Sequence, residues 1–277
     1  MPLFLMKKSQ IIVIVLGLIS IVVLFSLPRV VVDNDEGESE ITQETSSGSV
    51  NAEDLHDSEI PEATRTKLSE LAFKMDSEVN KEKFASLTDT LASLYAQAGK
   101  FDSAAYFLEQ AALKLENVER WEKAGVAYYE AYTFALNDQK IAYLADKTRT
   151  YLTKVLEIDP ERLDLKTKVA MTYVSSSNPM QGIAMLREIL EEDPTNEEGL
   201  FNMGVLSMQS GQYKRAAERF EELIRFHPDH IQGQFYLAVS YFESKQNNKA
   251  KKQFQEVKNM TQDPMVLASV ESYLERL

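Results

Sequence analysis

Residues 197–230 read EEGLFNMGVLSMQSGQYKRAAERFEELIRFHPDH, and this stretch of 34 residues decides the fold. Apolar residues recur at helical spacing on both sides of Gly211. This predicts two helices joined by a turn, because glycine adopts positive φ without steric cost. Gly204 and Ala216 are small, so the two helices are expected to cross closely there. Pro228 cannot continue a helix and is expected to end the unit.

The same pattern recurs along the chain and resembles the tetratricopeptide repeat, a helix-turn-helix unit with a period of about 34 residues. Ala250 in the last unit stands where Ala216 stands in the quoted one. The resemblance implies an all-α fold, an α-solenoid of tandem repeats. The second repeat exceeds the period, so its helices are expected to be longer. The predicted segments are a leading helix at 61–84, repeats at 85–118, 119–160, 163–196, 197–230 and 231–264, and a capping helix at 265–277.

The N-terminal region predicts a membrane anchor. Residues 9–28 form a run of 20 without a charge, enough for a helix to span a bilayer core. This run is longer than that of a signal peptide, and no small-residue cleavage pair follows, so a retained single-pass transmembrane helix (a signal-anchor) is favoured over a cleaved leader. Lys7 and Lys8 precede the span and only Arg29 follows it. The N-terminus, residues 1–8, is therefore expected to be cytoplasmic.

This orientation places the repeats outside the cytoplasm. In a bacterium the anchor would lie in the inner membrane and the repeats in the periplasm. The alternative is the reverse topology, with cytosolic repeats, as in anchored import receptors of organelles.

Residues 29–60 are expected to form an acidic linker. From Asp33 to Ile60 there are ten acidic residues and no Lys or Arg. This composition predicts disorder, because few apolar side chains are available to offset the entropy lost on ordering. The whole chain carries a net charge of -13. A nucleic-acid partner is therefore not expected, since phosphate binding requires a basic surface.

The sequence offers no candidate for catalysis. It contains no nucleophile-elbow, Walker, dinucleotide-binding or zinc-protease motif. It also lacks cysteine, which excludes disulfides and thiolate metal sites. His227 and His230 flank the proline turn after the quoted repeat and are interpreted as polar turn residues rather than metal ligands. We expect no enzyme activity, no cofactor, no metal and no small-molecule substrate.

The tetratricopeptide resemblance implies that the first helix of each repeat lines a concave groove through its fifth, ninth and twelfth residues. In the last three repeats eight of these nine positions are apolar and define a predicted groove strip: Met171, Val174, Phe201, Val205, Met208, Phe235, Val239 and Phe242. An exposed apolar strip typically marks an interaction site, here for an amphipathic or extended apolar segment of another protein. The alternative is that neighbouring helices, or the last helix of the chain, cover the strip.

Two further patterns bear on the type of partner. Some tetratricopeptide proteins hold a chaperone's C-terminal carboxylate with Lys, Asn and Arg at set positions. The equivalent positions are Thr167, Met171, Asn202, Gln232 and Tyr236. Only Asn202 matches, which argues against a carboxylate clamp. The cluster of Tyr128, Tyr129 and Tyr132 suggests recognition of a partner. The preferred interpretation is that these rings pack between helices with their hydroxyls exposed to solvent.

These features together predict a non-enzymatic, membrane-anchored adaptor that binds partner proteins through its concave groove at the extracytoplasmic surface of the membrane. The alternative is a constitutive structural or accessory subunit of an envelope complex. The layout is similar to that of bacterial envelope proteins that assist the Sec translocon, cytochrome c maturation or envelope assembly. No motif chooses among these pathways or sets the oligomeric state.

Overall fold

A computed structural model of the chain describes residues 60–277. This part contains twelve α-helices and no β-strand. They are α1 (Glu62–Asp76), α2 (Lys81–Gln97), α3 (Phe101–Leu115), α4 (Val118–Thr133), α5 (Asp138–Leu156), α6 (Leu163–Val174), α7 (Pro179–Glu192), α8 (Glu197–Gln209), α9 (Tyr213–Phe226), α10 (Ile231–Glu243), α11 (Asn247–Met260) and α12 (Pro264–Leu274). The all-helical prediction is confirmed.

The predicted anchor at 9–28 lies outside the described residues, and so does the predicted linker except for its last residue. Within residues 60–277, no helix combines the length and the apolar character that a membrane crossing requires.

The helices pack in sequence as a single row of neighbours. Five pairs, from α2–α3 to α10–α11, form the repeats, and the second helix of each pair also packs on the first helix of the next. First helices touch one another as well, α4 with α6, α6 with α8 and α8 with α10. Helix α8 packs much less extensively on α7 than on α9. Contacts confined to near neighbours define a solenoid, so the first helices line one continuous face.

Small residues set the close approach of paired helices. At Gly204 of α8, an added Cβ would lie 2.6 Å from the ring of Phe220 in α9. Ala216 and Ala250 are fully buried at the equivalent point of two successive repeats. Gly182 of α7 is tighter still, because a Cβ there would lie 2.3 Å from a backbone oxygen of α6. Glycine therefore lets two helix backbones approach closely at Gly182, and at Gly204 it makes room for an aromatic ring.

The turns within repeats use the left-handed backbone region. Gly99 and Gly211 both have φ of +71° and no neighbour within 4 Å of a built Cβ, so they are glycines because of backbone conformation. The last repeat places Lys245 in the same kind of turn at φ 65°. Helix α9 ends at Phe226, and Pro228 lies in the turn that leads to α10.

The long second repeat encloses a buried carboxylate. Its helices α4 and α5 have 16 and 19 residues. Glu109 of α3 projects towards them and accepts hydrogen bonds from Tyr128 (2.6 Å), Tyr151 (2.7 Å) and the Lys147 ammonium (2.7 Å). These four residues form the Glu109 cluster. Both phenol hydroxyls and the ammonium thus have the carboxylate as their hydrogen-bond acceptor. The cluster joins the first repeat to the second.

Helix α12 closes the end of the row. Its Val270 is fully buried against the last repeat. The ring of Tyr273 stacks on Phe254 of α11, with ring centroids 4.9 Å apart. The final helix thus occupies the position that the first helix of another repeat would take, and it covers apolar surface that would otherwise face solvent.

Candidate functional site

The predicted groove strip lies on three first helices, α6, α8 and α10, which pack side by side. Seven of its eight residues are half-buried: Met171, Val174, Phe201, Val205, Met208, Phe235 and Phe242. The eighth, Val239, is only 7% exposed and belongs to the core of the last repeat. The structure therefore places the strip on neighbouring helices, and seven of its eight side chains are partly packed and partly exposed to solvent.

The C-terminal part of the strip is covered by the chain itself. Tyr273 of α12 makes edge contacts with Phe235 and Phe242, with ring centroids 6.1 and 5.3 Å apart. The guanidinium of Arg276 lies 4.7 Å from the Phe242 ring centroid and extends the cover. The apolar surface offered by α10 is therefore smaller than the sequence pattern suggested, because the capping helix uses part of it.

Phe201 is the aromatic centre of the remaining strip. Its ring stacks on His230 at 5.0 Å and on Tyr236 at 5.8 Å, and it makes an edge contact with Phe220 at 6.1 Å. Aromatic rings in such pairs hold one another in defined orientations. Phe201 is thus a fixed, half-buried anchor rather than a freely rotating surface side chain.

A concave pocket opens beside Phe201. Its volume is about 410 Å³, and four elements line it. Helix α4 contributes Tyr129, α6 contributes Thr167 and Lys168, α8 contributes Glu197, Glu198, Phe201 and Asn202, and the start of α10 contributes His230 and Gln232. We refer to this as the groove pocket. It has an aromatic wall and a polar rim that carries charges of both signs.

The charges on the rim are weakly paired. The Lys168 ammonium lies 3.7 Å from Glu198 and 5.7 Å from the centroid of the Tyr129 ring. Burial raises the pKa of Tyr129 to about 12, with smaller contributions from Tyr132 and Glu198. The Tyr129 hydroxyl is therefore a neutral hydrogen-bonding group at physiological pH.

His230 of the rim and the nearby His227 both stabilise turns. His230 Nδ1 accepts a hydrogen bond from the backbone N–H of Gly233 at 2.9 Å and so caps α10. His227 Nε2 lies 2.7 Å from the backbone oxygen of Thr195 in the preceding inter-repeat turn. Both rings also approach Glu197, at 3.5 and 3.7 Å. Among the described residues, no cluster of His, Cys, Asp and Glu is arranged to hold a metal ion.

The three clustered tyrosines separate into different roles. Tyr128 is buried in the Glu109 cluster, where desolvation and the nearby carboxylate raise its pKa. The Tyr132 hydroxyl oxygen lies 3.0 Å from the backbone oxygen of Met171 and 2.7 Å from Ser175 Oγ, within hydrogen-bonding distance of both, so it ties α4 to the end of α6. Only Tyr129 lines the groove pocket. Two of the three therefore pack between helices, and one faces the groove.

Of the aromatic residues that line the pocket, the sequence pattern pointed only to Phe201, and it did not indicate the charged residues of the rim. Lys168 follows the inward position Thr167, and Glu198 lies three residues before the inward position Phe201, so their long side chains reach the pocket from outside the repeat pattern. Thr167, at an inward position, is instead buried and donates its hydroxyl to the Leu163 carbonyl at 2.9 Å. The arrangement is suited to binding an apolar side chain against Phe201, with polar groups around it.

Comparisons with known proteins agree with this architecture. A family model described as "Surface lipoprotein assembly modifier, N-terminal TPR repeats" matches residues 164–254. A comparison with curated proteins finds no match. A solved tetratricopeptide repeat protein from Parabacteroides merdae is 17% identical, with a TM-score of 0.56 over 76% of this chain and 79% of that one.

Two further solved structures are similar at lower TM-scores. YrrB, described as a TPR protein with an unusual peptide-binding site, is 18% identical over 76% of this chain and 98% of its own, with a TM-score of 0.43. MamA from Desulfovibrio magneticus is 15% identical over 65% of this chain and 97% of its own, with a TM-score of 0.48. The described residues thus form a solenoid of tetratricopeptide-type helix-turn-helix repeats, as their own helix order and packing show.

Proposed function

We propose that this protein is a non-enzymatic adaptor that binds partner proteins through its concave groove, with the groove pocket as the central contact. The observation that carries the proposal is the half-buried Phe201, held by three aromatic neighbours and open to a pocket of about 410 Å³. A rigid aromatic side chain in a partly desolvated pocket is the usual form of an interaction hot spot.

The partner that fits this site is an extended or helical segment with an apolar side chain. That side chain would contact Phe201, with Val205 and Met208 continuing the apolar surface along α8. The side-chain amides of Asn202 and Gln232 on the rim could bond the backbone of the segment. Because the rim carries Lys168 as well as two carboxylates, the site is suited to a segment of mixed charge.

The N-terminal sequence supports a place of action at the membrane. The uncharged run at 9–28 and the basic residues before it support a single-pass anchor with the repeats on the extracytoplasmic side of the inner membrane. The adaptor would then gather its partners at the membrane surface, and the acidic residues 29–60 would act as a spacer.

The second candidate function is that of a constitutive subunit of an envelope assembly. One observation favours it: α12 already covers the part of the groove strip on α10, which leaves less free surface for an exchanging partner. The matched family model, whose description names surface lipoprotein assembly, is consistent with a role in building envelope structures.

Photo-crosslinking in native membranes tests the adaptor. A crosslinking amino acid at position 202 of the full-length protein should capture a partner, and Phe201→Glu should abolish capture because it places a charge in the pocket wall. Phe73→Glu is the matched control, since Phe73 is 77% exposed on α1. Lys168→Glu is a second variant, altering only the rim. Unchanged capture by both groove variants, with helicity retained, would refute the groove as the binding site.

The two candidate functions differ in how the partner is held. An adaptor should release its partner on dilution and then purify as a single chain with an open groove. A constitutive subunit should keep one partner, or a second copy, at fixed stoichiometry. Size-exclusion chromatography with light scattering distinguishes the two results.

A further inference from the structure

A second cavity lies on the opposite side of the solenoid from the groove. It has a volume of about 450 Å³ and is formed by α7, α8 and α9, with Ile183, Met203 and Leu206 as its apolar floor. We call it the outer cleft. On a helix with 100° per residue, Met203 and Leu206 point about 140–160° away from Phe201. The outer cleft and the groove pocket therefore use different faces of α8.

The rim of the outer cleft is rich in arginine. Arg187 approaches from α7, and Arg215 and Arg219 approach from successive turns of α9. Arg219 pairs with Glu222 at 3.3 Å, and Arg215 donates to the side-chain oxygen of Gln212 at 2.8 Å. Across the described part of the chain, neither Arg187 nor Arg215 takes part in an ion pair.

This placement of charge is unfavourable in the isolated protein. Arg215 and Arg219 are four residues apart on one helix, where like charges repel. The floor also leaves Met203 and Leu206 only half-buried, at the junction where α8 packs weakly on α7. An anionic ligand with an apolar group would relieve both features at once.

We propose that the outer cleft binds an acidic segment of a partner protein, with an aliphatic side chain on the floor and carboxylates on Arg187 and Arg215. Guanidinium groups suit this role because their planar forks match carboxylates in bidentate pairs. Charge complementarity favours a peptide over nucleic acid or an anionic membrane, since the chain as a whole carries -13 and two glutamates share the rim. The adaptor would thereby have two independent binding faces.

The test uses the purified full-length protein and two labelled peptides, one of alternating Glu and Leu and one of alternating Lys and Leu. We expect the Glu/Leu peptide to bind and the Lys/Leu peptide to bind much more weakly. The double variant Arg187→Glu with Arg215→Glu should weaken Glu/Leu binding by at least about tenfold, since losing one charge-assisted hydrogen bond has an effect of that size. Fluorescence anisotropy measures both affinities.

The control double variant is Lys67→Glu with Lys81→Glu, which makes the same change in net charge at exposed positions on α1 and α2, away from the cleft. It should bind nearly as well as the wild type, and so should Phe201→Glu, because the groove is not involved. An equal loss of Glu/Leu affinity in the two double variants would show that net charge alone sets the binding, and it would overturn the proposal. Preferential binding of the Lys/Leu peptide, or no binding of the Glu/Leu peptide, would also overturn the proposal. So would displacement of the Glu/Leu peptide by inorganic phosphate at the same concentration as the peptide.

Discussion

Replacing Glu109 with alanine tests how the first two repeats are joined. The carboxylate is only 7% exposed, and it accepts from two phenols and an ammonium at 2.6–2.7 Å. Alanine removes the acceptor while leaving all three donors in place. Tyr128 is 1% exposed and Tyr151 is 4% exposed, so their hydroxyls would lose a partner inside the protein.

The size of the effect follows from these contacts. Breaking a buried ion pair by removing one partner destabilises proteins by about 3–5 kcal/mol. Lys147 is 29% exposed and can regain water, so the lower end of that range applies to its share. We therefore expect about 3 kcal/mol for Glu109→Ala and less for Glu109→Gln, whose carbonyl oxygen still accepts hydrogen bonds. This is a large part of the ~5–15 kcal/mol that stabilises an ordinary domain.

Urea denaturation followed by circular dichroism measures the change. The matched control is Glu130→Ala on α4, an exposed glutamate whose replacement should change the free energy of unfolding by no more than about 0.5 kcal/mol. Tryptophan fluorescence gives a second reading of the same transition, because Trp121, the single tryptophan, lies in α4. A loss below about 1 kcal/mol for Glu109→Ala, with the slope of the transition unchanged, would refute the cluster as a structural joint.

Three other changes give distinct readouts. Gly182→Ala should lower the free energy of unfolding in urea by about 1–3 kcal/mol. The loss should exceed that of Gly204→Ala, because the new Cβ meets backbone at position 182 and a ring that can rotate at position 204. Equal losses would contradict this. Tyr128→Phe should lower the free energy of unfolding at pH 7. Above about pH 10 the difference between the wild type and this variant should become smaller. The folded state raises the pKa of Tyr128, so the wild type loses stability as the unfolded phenol ionises; a constant gap in pH-dependent unfolding would contradict the assignment. Tyr273→Ala should raise binding of an apolar dye by uncovering Phe235, with helicity retained, and unchanged dye binding would show that α12 does not cover the strip.

The repeat pattern predicted the helices because the structural requirements behind it arise within a single repeat. Gly211 needs positive φ, and Gly204 has an aromatic ring of the paired helix within 3 Å of its missing Cβ. Both requirements can be inferred from residues within one unit. The tetratricopeptide resemblance therefore led to the solenoid that the structure shows over residues 60–277.

The site was less predictable because it depends on contacts between distant residues. Tyr273 reaches Phe235 from 38 positions away, and Glu109 meets Tyr151 over a separation of 42. The sequence pattern gave the inward positions of the first helices but not the length and reach of side chains beside them. Lys168 joins the groove pocket for that reason, and the arginines of the outer cleft come from separate repeats.

The weak packing of α8 on α7 has a mechanical consequence. In a row of helices joined only to near neighbours, stiffness is set locally, and among the repeats the row bends most easily where two successive repeats pack least. That joint falls between the third and fourth repeats, directly beside both cavities. A ligand in the outer cleft, bound to both α7 and α9, would restrict bending at this joint. A ligand in the groove pocket, bound to both α6 and α8, would fix the angle between the same two repeats from the concave face. The curvature of the solenoid would then be adjustable at one point.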